Sequence, residues 1–582
     1  MVATNQQTKE ASEKTIKEPV SGSDAVILSL LAENVDSIFG YPGGAIMPIY
    51  DALYHYADKV NHYLVRHEQG AVHAAQGYAR ATGKAGVVFA TSGPGATNLV
   101  TGIADAMIDS TPLVCITGQV ASHLLGTDAF QEVDVMNITV PVTKWNVQIT
   151  RAEDICKTLA KAFYIAQSGR PGPVVVDITK DAQIAKTVFD YEKVTEIRTY
   201  HPVPKVNLTN IEDAALLINA AKKPYILAGQ GVTLSGASKE LIEFAEKGNI
   251  PVALTLLGLS CFPTEHPLQV GYLGMHGNYA PNIKTNECDL LIAVGMRFDD
   301  RVTGDVSRYA KQAKIIHIDI DKAEINKIIK ADVGINGNAK EVLPLLTAQI
   351  KKADHSEWID SFKVLANEEN EKIIDKDCKN NSNEIKMAEV IYQLNKVTKG
   401  ESIIVTDVGQ HQMVASRYYH FKNTRSNITS GGAGTMGFAL PAAMGAKTGI
   451  PGRDVIAIIG DGGFQMNIQE LGTIFQYKIP VKIVVLNNEF LGMVRQWQQM
   501  FFKSRYSFTE MVNPDFVKIN EAYGIKAKKV TEREDLIGAL EEMMAHDGPY
   551  FLEVKVEKED NVFPMIPTGA SVSEIILENP AS

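Results

Sequence analysis

The sequence predicts an α/β chain built from three doubly wound parallel-sheet domains, and three observations carry that expectation. Short apolar runs rich in β-branched residues, among them 86–90, 290–294, 455–459 and 481–486, end in glycine or polar residues, the pattern of strands buried on both faces. Stretches of helical length separate them, so strand, helix and strand recur at βαβ spacing. Two linkers, 187–208 without a strong period and 347–383 dense in charge with some helix, divide the alternation into three blocks.

The expected organisation is a disordered leader over 1–20, a first domain over 21–186, a linker, a middle domain over 209–346 and a charge-rich linker. A third domain over 384–565 and a tail over 566–582 follow. Hydrophobic residues make up 45% and charged residues 21% of 582, ample for large buried cores. The net charge of −11 argues against nucleic acid as the main partner. No apolar run approaches the roughly 18 residues of a membrane span. Five scattered cysteines without a Cys-x-x-Cys pair read as the reduced thiols of a cytoplasmic protein.

In the first domain a helix over 24–34 precedes residues 37–40 and the loop Tyr41, Pro42, Gly43, Gly44 and Ala45. A strand over 61–66 leaves Glu68 just past its carboxyl end, before a helix of small residues over 71–81. The strand 86–90 ends in Thr91-Ser92-Gly93-Pro94-Gly95, and strands over 112–118 and 174–178 complete the visible pattern. In the middle domain, strands are expected over 224–228, 251–257, 290–295 and 315–320, with Gly229-Gln230-Gly231 only a fragment of a dinucleotide fingerprint.

The third domain holds the most informative stretch. The runs 455–459 and 481–486, joined by an expected helix over 466–477, form one βαβ unit whose parallel strands finish on the same edge. That places Asp461 and Asn488 side by side, a carboxylate and an amide oxygen suited to a hard cation such as Mg²⁺. So few protein oxygens leave the rest of the cation's shell to water and phosphate. Gly460, Gly462 and Gly463 would let backbone approach a diphosphate closely.

Gly460-Asp461-Gly462 followed by Asn487-Asn488 resembles the thiamine diphosphate signature of the decarboxylase and carboligase superfamily. Arg66-His67-Glu68-Gln69-Gly70-Ala71 and Thr91-Ser92-Gly93-Pro94-Gly95 look like its pyrimidine-binding domain. The run 119–131, ending Gly126-Thr127-Asp128-Ala129-Phe130-Gln131, is similar to the acetohydroxyacid synthase (acetolactate synthase) large-subunit family. So are Leu273-Gly274-Met275-His276-Gly277, the cluster from Arg297 to Gly304, and the tail around Thr568. The resemblance extends over about residues 20–575, with Ala121 and Thr179 standing where relatives carry proline.

This resemblance implies an enzyme that decarboxylates pyruvate and joins the hydroxyethyl unit held on thiamine diphosphate to a second pyruvate or to 2-oxobutanoate. The products are 2-acetolactate or 2-aceto-2-hydroxybutanoate, in branched-chain amino acid biosynthesis. Glu68 is then the carboxyl that hydrogen-bonds the coenzyme's pyrimidine and drives its own amino group to act as base. Gly44, Phe130, Gln131, Lys180, Arg301, Met493 and Trp497 are implied at the reacting groups or substrate channel. Thiamine diphosphate contacts are implied for Val408, Gly409, Gln410, His411, Gly434, Met436, Gly460, Gly462, Gly463, Leu491, Gly492 and Met493. The metal falls to Asp461, Asn488 and the carbonyl of Phe490.

A structural FAD is implied in the middle domain, approached by Arg170, Gly229, Gly231, Thr255, Leu256, Leu273, Gly274, Met275 and His276. Arg297, Asp299, Asp300, Arg301, Asp319, Ile320, Asp332 and Val333 complete that set. The superfamily pattern further implies a homodimer or dimer of dimers and a separate regulatory small subunit. Residue by residue, blander readings stand beside these: Met436 as core packing, Trp497 as an interface tryptophan, and the Arg297–Arg301 charges as a surface cluster. At the level of function the alternatives are a flavin-using pyruvate oxidase, a flavin-free catabolic synthase and a non-catalytic relative. The Arg297 cluster and Trp497 weigh against the first two, and Glu68, Asp461 and Asn488 against the third.

Overall fold

Parallel strands must bury both faces under helices, and the three blocks each do so with a six-stranded sheet. The structure, a computed structural model, describes residues 16–379 and 384–578. Two compact units emerge: Met1–Ala75 with Ala85–Gln167 and Pro171–Tyr200, and Gln76–Lys84 with Ser168–Arg170 and His201–Ser582.

The first unit's sheet runs, in space, Asn61–Leu64, Ser37–Gly40, Gly86–Ala90, Leu113–Gln119, Pro173–Thr179 and Trp145–Ile149, parallel throughout. Counted along the chain this is order 2-1-3-4-6-5. The winding direction reverses between Ser37–Gly40 and Gly86–Ala90, the switch point where such sheets leave a crevice. Gly86–Ala90 and Leu113–Gln119 are buried at every residue, whereas the flanking Asn61–Leu64 and Trp145–Ile149 are half-exposed.

The second unit holds two sheets. One runs Gln269–Tyr272, Val252–Leu254, Pro224–Ala228, Leu290–Val294, Lys314–Asp319 and Val333–Asn336, order 3-2-1-4-5-6. The other runs Asn427–Thr429, Ile403–Thr406, Val455–Gly460, Lys482–Asn487, Tyr550–Lys555 and Lys526–Val530, which repeats the first unit's order. Its exposed edge strand reads Lys-Ala-Lys-Lys-Val, and lysines there discourage pairing with a foreign strand.

Three expectations are corrected by packing. Residues 1–15 of the expected leader lie outside the described residues, but Ile16–Ser21 is a strand, antiparallel to Lys186–Phe189 at the start of the expected linker. The expected helix over 466–477 divides instead into Asp461–Met466, a 3₁₀ turn at Ile468–Glu470 and Leu471–Tyr477. Asn467 breaks it, because its buried amide donates to the Gly437 carbonyl at 2.6 Å. The expected helix over 71–81 begins at Glu68, which therefore stands in its first turn. The tail is docked in its described part: Ile566, Val572 and Ile575 are buried against Leu273, Phe298 and Val302, and Asp305 N–H donates to the Ala570 carbonyl.

A buried ion pair joins the two sheets of the second unit. The helix Ser356–Glu369 ends in Glu369, whose carboxylate pairs with the fully buried Arg417 on the helix Gln410–Tyr418. Glu369 also accepts from Asn278 Nδ2 (3.0 Å) and Tyr279 N–H (2.7 Å), and Arg417 donates to the carbonyls of His276 and Gly277. Removing one charge leaves the other buried and uncompensated. Arg417→Met is therefore expected to lose about 3–5 kcal/mol of stability in urea unfolding, and the double variant Arg417→Met/Glu369→Met to recover part of it.

Candidate active site

In the first unit the expected residues collect at the carboxyl edge around the switch point. Glu68 is half-buried, and its Oε2 accepts from Asn98 Nδ2 at 2.9 Å. A side chain on Gly95 would meet Thr91 Cγ2 at 2.8 Å and Glu68 Oε1 at 3.4 Å, so the glycine keeps space beside the carboxyl. Gly44 is exposed with open space before it. Phe130 is 88% exposed on a loop whose backbone packs on Gly93 through Gln131. Glu132 staples that loop by accepting the N–H groups of Gly126 and of Ala129, the latter at 3.1 Å. Hydrogen bonds from the loop, Gly126 first, hold the Glu132 carboxyl below its usual range.

Lys180 is exposed at the end of the strand Pro173–Thr179. Its neighbour Asp181 accepts from Ser122 N–H (2.9 Å) and Oγ (2.5 Å), tying the start of the loop to the sheet edge. Partial burial opposes ionisation there, yet the Ser122 donors prevail and hold the Asp181 carboxyl down at about 2.

In the second unit the carboxyl edge of the third sheet is organised by a residue that sequence reasoning missed. Asp407, fully buried, accepts from Val408 N–H (2.9 Å), Gly437 N–H (3.0 Å) and Ala439 N–H (3.0 Å). Burial raises its carboxyl to about 6 against those three donors. Gly463 packs on it so closely that a Cβ would stand 2.5 Å from Oδ1. Asp407 ends a strand ahead of glycines as Asp461 does, and that signal was available.

Asp461 follows Val455–Gly460, and Gly460 pairs in register with Leu486, so Asp461 and the Asn487-Asn488 turn are neighbours as expected. Burial lifts the Asp461 carboxyl to about 6, opposed by Asn513, whose Nδ2 reaches Asp461 Oδ2 (2.6 Å) and Asn487 Oδ1 (3.0 Å). Asn513 lies in a loop without periodicity and left no signal in the sequence. Asn488 Oδ1 accepts from Phe490 N–H at 3.3 Å. Glu489 between them has φ 58°, a left-handed residue that turns the chain out of the strand, and its carbonyl accepts from Met511 N–H at 2.9 Å.

His411 is buried between Gly409 and Gly460, where a Cβ on either would come within 3 Å of the ring. One ring nitrogen bonds the Asp407 carbonyl, while Nε2 is buried without a hydrogen-bond partner among the described residues. Burial keeps the ring neutral, with its pKa lowered to about 3. Gln410 Nε2 donates to Gln496 and to the Asp560 carbonyl, and Gly492 lies against its Oε1. Met436 is half-buried; with Leu491 and Met511 it surrounds Gly462, so it lines an open edge and is no core methionine. Gly434 has φ 65° and open space, with Val408 Cγ1 at 3.9 Å its nearest neighbour. Met493 and Trp497 are half-buried on the helix Gly492–Phe501, with the indole 5.1 Å from Phe501.

At the middle sheet's switch point, Gly229 and Gly231 serve loop packing: Gly231 N–H donates to the Gly295 carbonyl at 2.8 Å. Thr255 Oγ1 accepts from Gly258 N–H (3.1 Å), and the Leu256 carbonyl accepts from Asn427 (2.9 Å). Buried Leu273 leads into Gly274, whose φ of 121° suits only glycine and whose N–H and carbonyl are both held by Asn282. Met275 N–H donates to the Arg301 carbonyl, and burial lowers His276 to about 3, with Arg417 and Arg301 adding to it.

Asp299 caps the short helix Asp300–Thr303 by accepting Arg301 N–H; burial raises its carboxyl, opposed by half-buried Arg297. Arg301 and Asp300 are both exposed and only 3.7 Å apart, a loose pair of little energetic weight. Burial raises Asp319 to about 6, and Ile320 gives its carbonyl to Asn336. Arg170 pairs with Glu324 (2.8 Å) and Asp321 (3.3 Å), and its charge opposes the rise at Asp319. Asp332 and Val333 are not brought to this edge. Asp332 takes Lys314 Nζ and Ile315 N–H at the amino end of the neighbouring strand, and Val333 pairs with Ile316, three residues before Asp319.

Three models of the thiamine pyrophosphate enzymes match the chain: the N-terminal TPP binding domain over residues 20–138, the central domain over 211–346 and the C-terminal TPP binding domain over 407–554. Acetolactate synthase large subunits are similar along nearly the whole length. That of Corynebacterium glutamicum is 48% identical over 96% of this chain and 90% of its own. That of Lactococcus lactis is 45% identical over 96% and 97%, and the isozyme 2 large subunit of Escherichia coli 45% over 96% and 99%. The chain belongs to the acetolactate synthase large-subunit family.

The third-sheet edge of this family member fits a diphosphate and a hard cation on its own geometry. A buried carboxylate, a turn offering amide and carbonyl oxygens, glycines that admit no Cβ and an unpartnered imidazole nitrogen converge there. With the His411 proton facing the Asp407 carbonyl, an anion at Nε2 draws a second proton onto the ring. Thiamine diphosphate binding at pH 7 is therefore expected to take up part of a proton, read by calorimetry in buffers of different ionisation heat, and His411→Gln to abolish the uptake. In the first unit, the folded Asp181 carboxyl at about 2 lies below its ordinary 3.8. Its stabilisation is present above about pH 4 and is lost as pH falls through about 2. Asp181→Asn should cost about 1 kcal/mol at neutral pH, discounted for partial exposure, with the gap in melting temperature closing toward pH 2.

Proposed function

We propose that this chain is the catalytic large subunit of an acetolactate synthase, releasing CO₂ from pyruvate and joining the remaining two-carbon unit to a second 2-oxoacid. With pyruvate the product is 2-acetolactate, and with 2-oxobutanoate it is 2-aceto-2-hydroxybutanoate, the entry to branched-chain amino acid synthesis. One observation carries the reading: the buried Asp461, the Asn487–Phe490 turn and the unpartnered His411 nitrogen lie at one sheet edge, in a chain of this family.

Bound thiamine diphosphate supplies the carbon that stores the electron pair freed by decarboxylation. Asp461 and Asn488, with the carbonyl of Phe490, would hold Mg²⁺, while His411 and the N–H groups of the glycine loops would hold the diphosphate. Glu68 would hold a proton at the coenzyme's ring nitrogen through its free Oε1. Gly274, His276, Arg297 and Asp319 are the residues best placed to meet FAD, which serves the fold because the net reaction moves no electrons.

Arg301 offers an exposed planar fork for the carboxylate of the second 2-oxoacid, with no tight protein partner to displace. Phe130, Gln131, Lys180, Met493 and Trp497 would line the path to it. A homodimer is the smallest active assembly proposed, joined by a separate regulatory subunit, in keeping with relatives that are themselves large subunits. Assayed anaerobically with pyruvate, Mg²⁺ and both organic cofactors, the protein is expected to form acetolactate without an added electron acceptor. Glu68→Gln should lower kcat at least about 100-fold while thiamine diphosphate still binds; an unchanged rate would reject Glu68 as the activating acid.

A further inference from the structure

We infer that Asn98 is a positioning residue for Glu68, selecting which carboxyl oxygen faces the coenzyme; this rests on the function proposed above. Glu68 opens the helix Glu68–Thr82, and Asn98 closes the short helix Pro94–Thr97 that follows the strand Gly86–Ala90. The strand Gly86–Ala90 lies between these two helices in the chain, and the fold turns them toward each other so that Asn98 Nδ2 donates to Glu68 Oε2 at 2.9 Å. Among the described residues this is the one hydrogen bond that the Glu68 carboxyl receives. Oε1 instead lies beside Gly95, where the missing side chain leaves it uncovered.

A carboxyl on a long side chain has several rotamers, and an unanchored one spreads its proton between two equivalent oxygens. The amide donor removes that degeneracy. It can donate only, so Oε2 is kept as an acceptor, and a proton shared with a ligand's ring nitrogen is directed to Oε1. The Gly93 turn, with φ 58°, and Pro94 set the start of the helix that presents Asn98. Asn98 thus acts through Glu68.

The test is a double-mutant cycle on the holoenzyme, reading kcat, the rate of hydrogen–deuterium exchange at the coenzyme's reactive carbon, and the Kd for thiamine diphosphate. Asn98→Ala is expected to slow exchange and kcat about tenfold with Kd within about twofold, and the isosteric Asn98→Asp to slow both further by repelling the Glu68 charge. In the Glu68→Gln background, Asn98→Ala should add no further loss. Unchanged exchange in Asn98→Ala, or an equal additional loss in the Glu68→Gln background, would overturn the inference. Full activity of Glu68→Gln alone would instead overturn the proposed role of Glu68, and this inference with it.

Discussion

The Asp407 carboxylate is the fixed point on which the third sheet's working edge depends. Its side chain gathers three backbone N–H groups from two loops, and its carbonyl orients the His411 ring. A buried carboxylate is costly to keep, and burial does raise this one. The cost is offset because the alternative is three orphaned N–H groups in the same dry space. Val408, Gly437 and Ala439 are thereby gathered on one carboxylate, against which Gly463 packs.

The same economy of buried polar groups recurs across the second unit. Arg417 and Glu369 pair where the helix Gln410–Tyr418 meets the loop of His276 and Gly277. That helix begins at the residues expected around the diphosphate and ends at those expected around the flavin. One helix therefore touches both neighbourhoods, Gln410 and His411 at its start and Arg417 against His276 at its end. In the first unit, Glu132 and Asp181 play smaller versions of the part, holding a loop that presents Phe130 to solvent.

The motifs were legible because they sit at strand ends, where local sequence and fold coincide. Asp461 and the Asn487–Asn488 turn could be paired from two apolar runs and the length between them, and the register Gly460 to Leu486 bears this out. Asn513 and Asn98 could not, since each acts across a gap in the chain with no period to betray it. Asn467 misled for a related reason: helical length around it is genuine, but its amide is spent on a neighbouring loop. Asp332 gives no sign in the sequence of which strand end it occupies, and only pairing shows it at the amino end of its sheet.

By itself the sequence determined the alternation of strands and helices, the edge on which polar residues gather and the family. Those follow from local patterning, from the geometry of parallel strands and from motifs whose spacing survives in one dimension. Only the tertiary structure decided the strand orders, the splitting of the helix at Asn467, the docking of the tail and the partners of Glu68, Asp461 and His411. Each of these is settled by which buried polar atom finds which other, and that choice is made through space between residues that the chain keeps far apart.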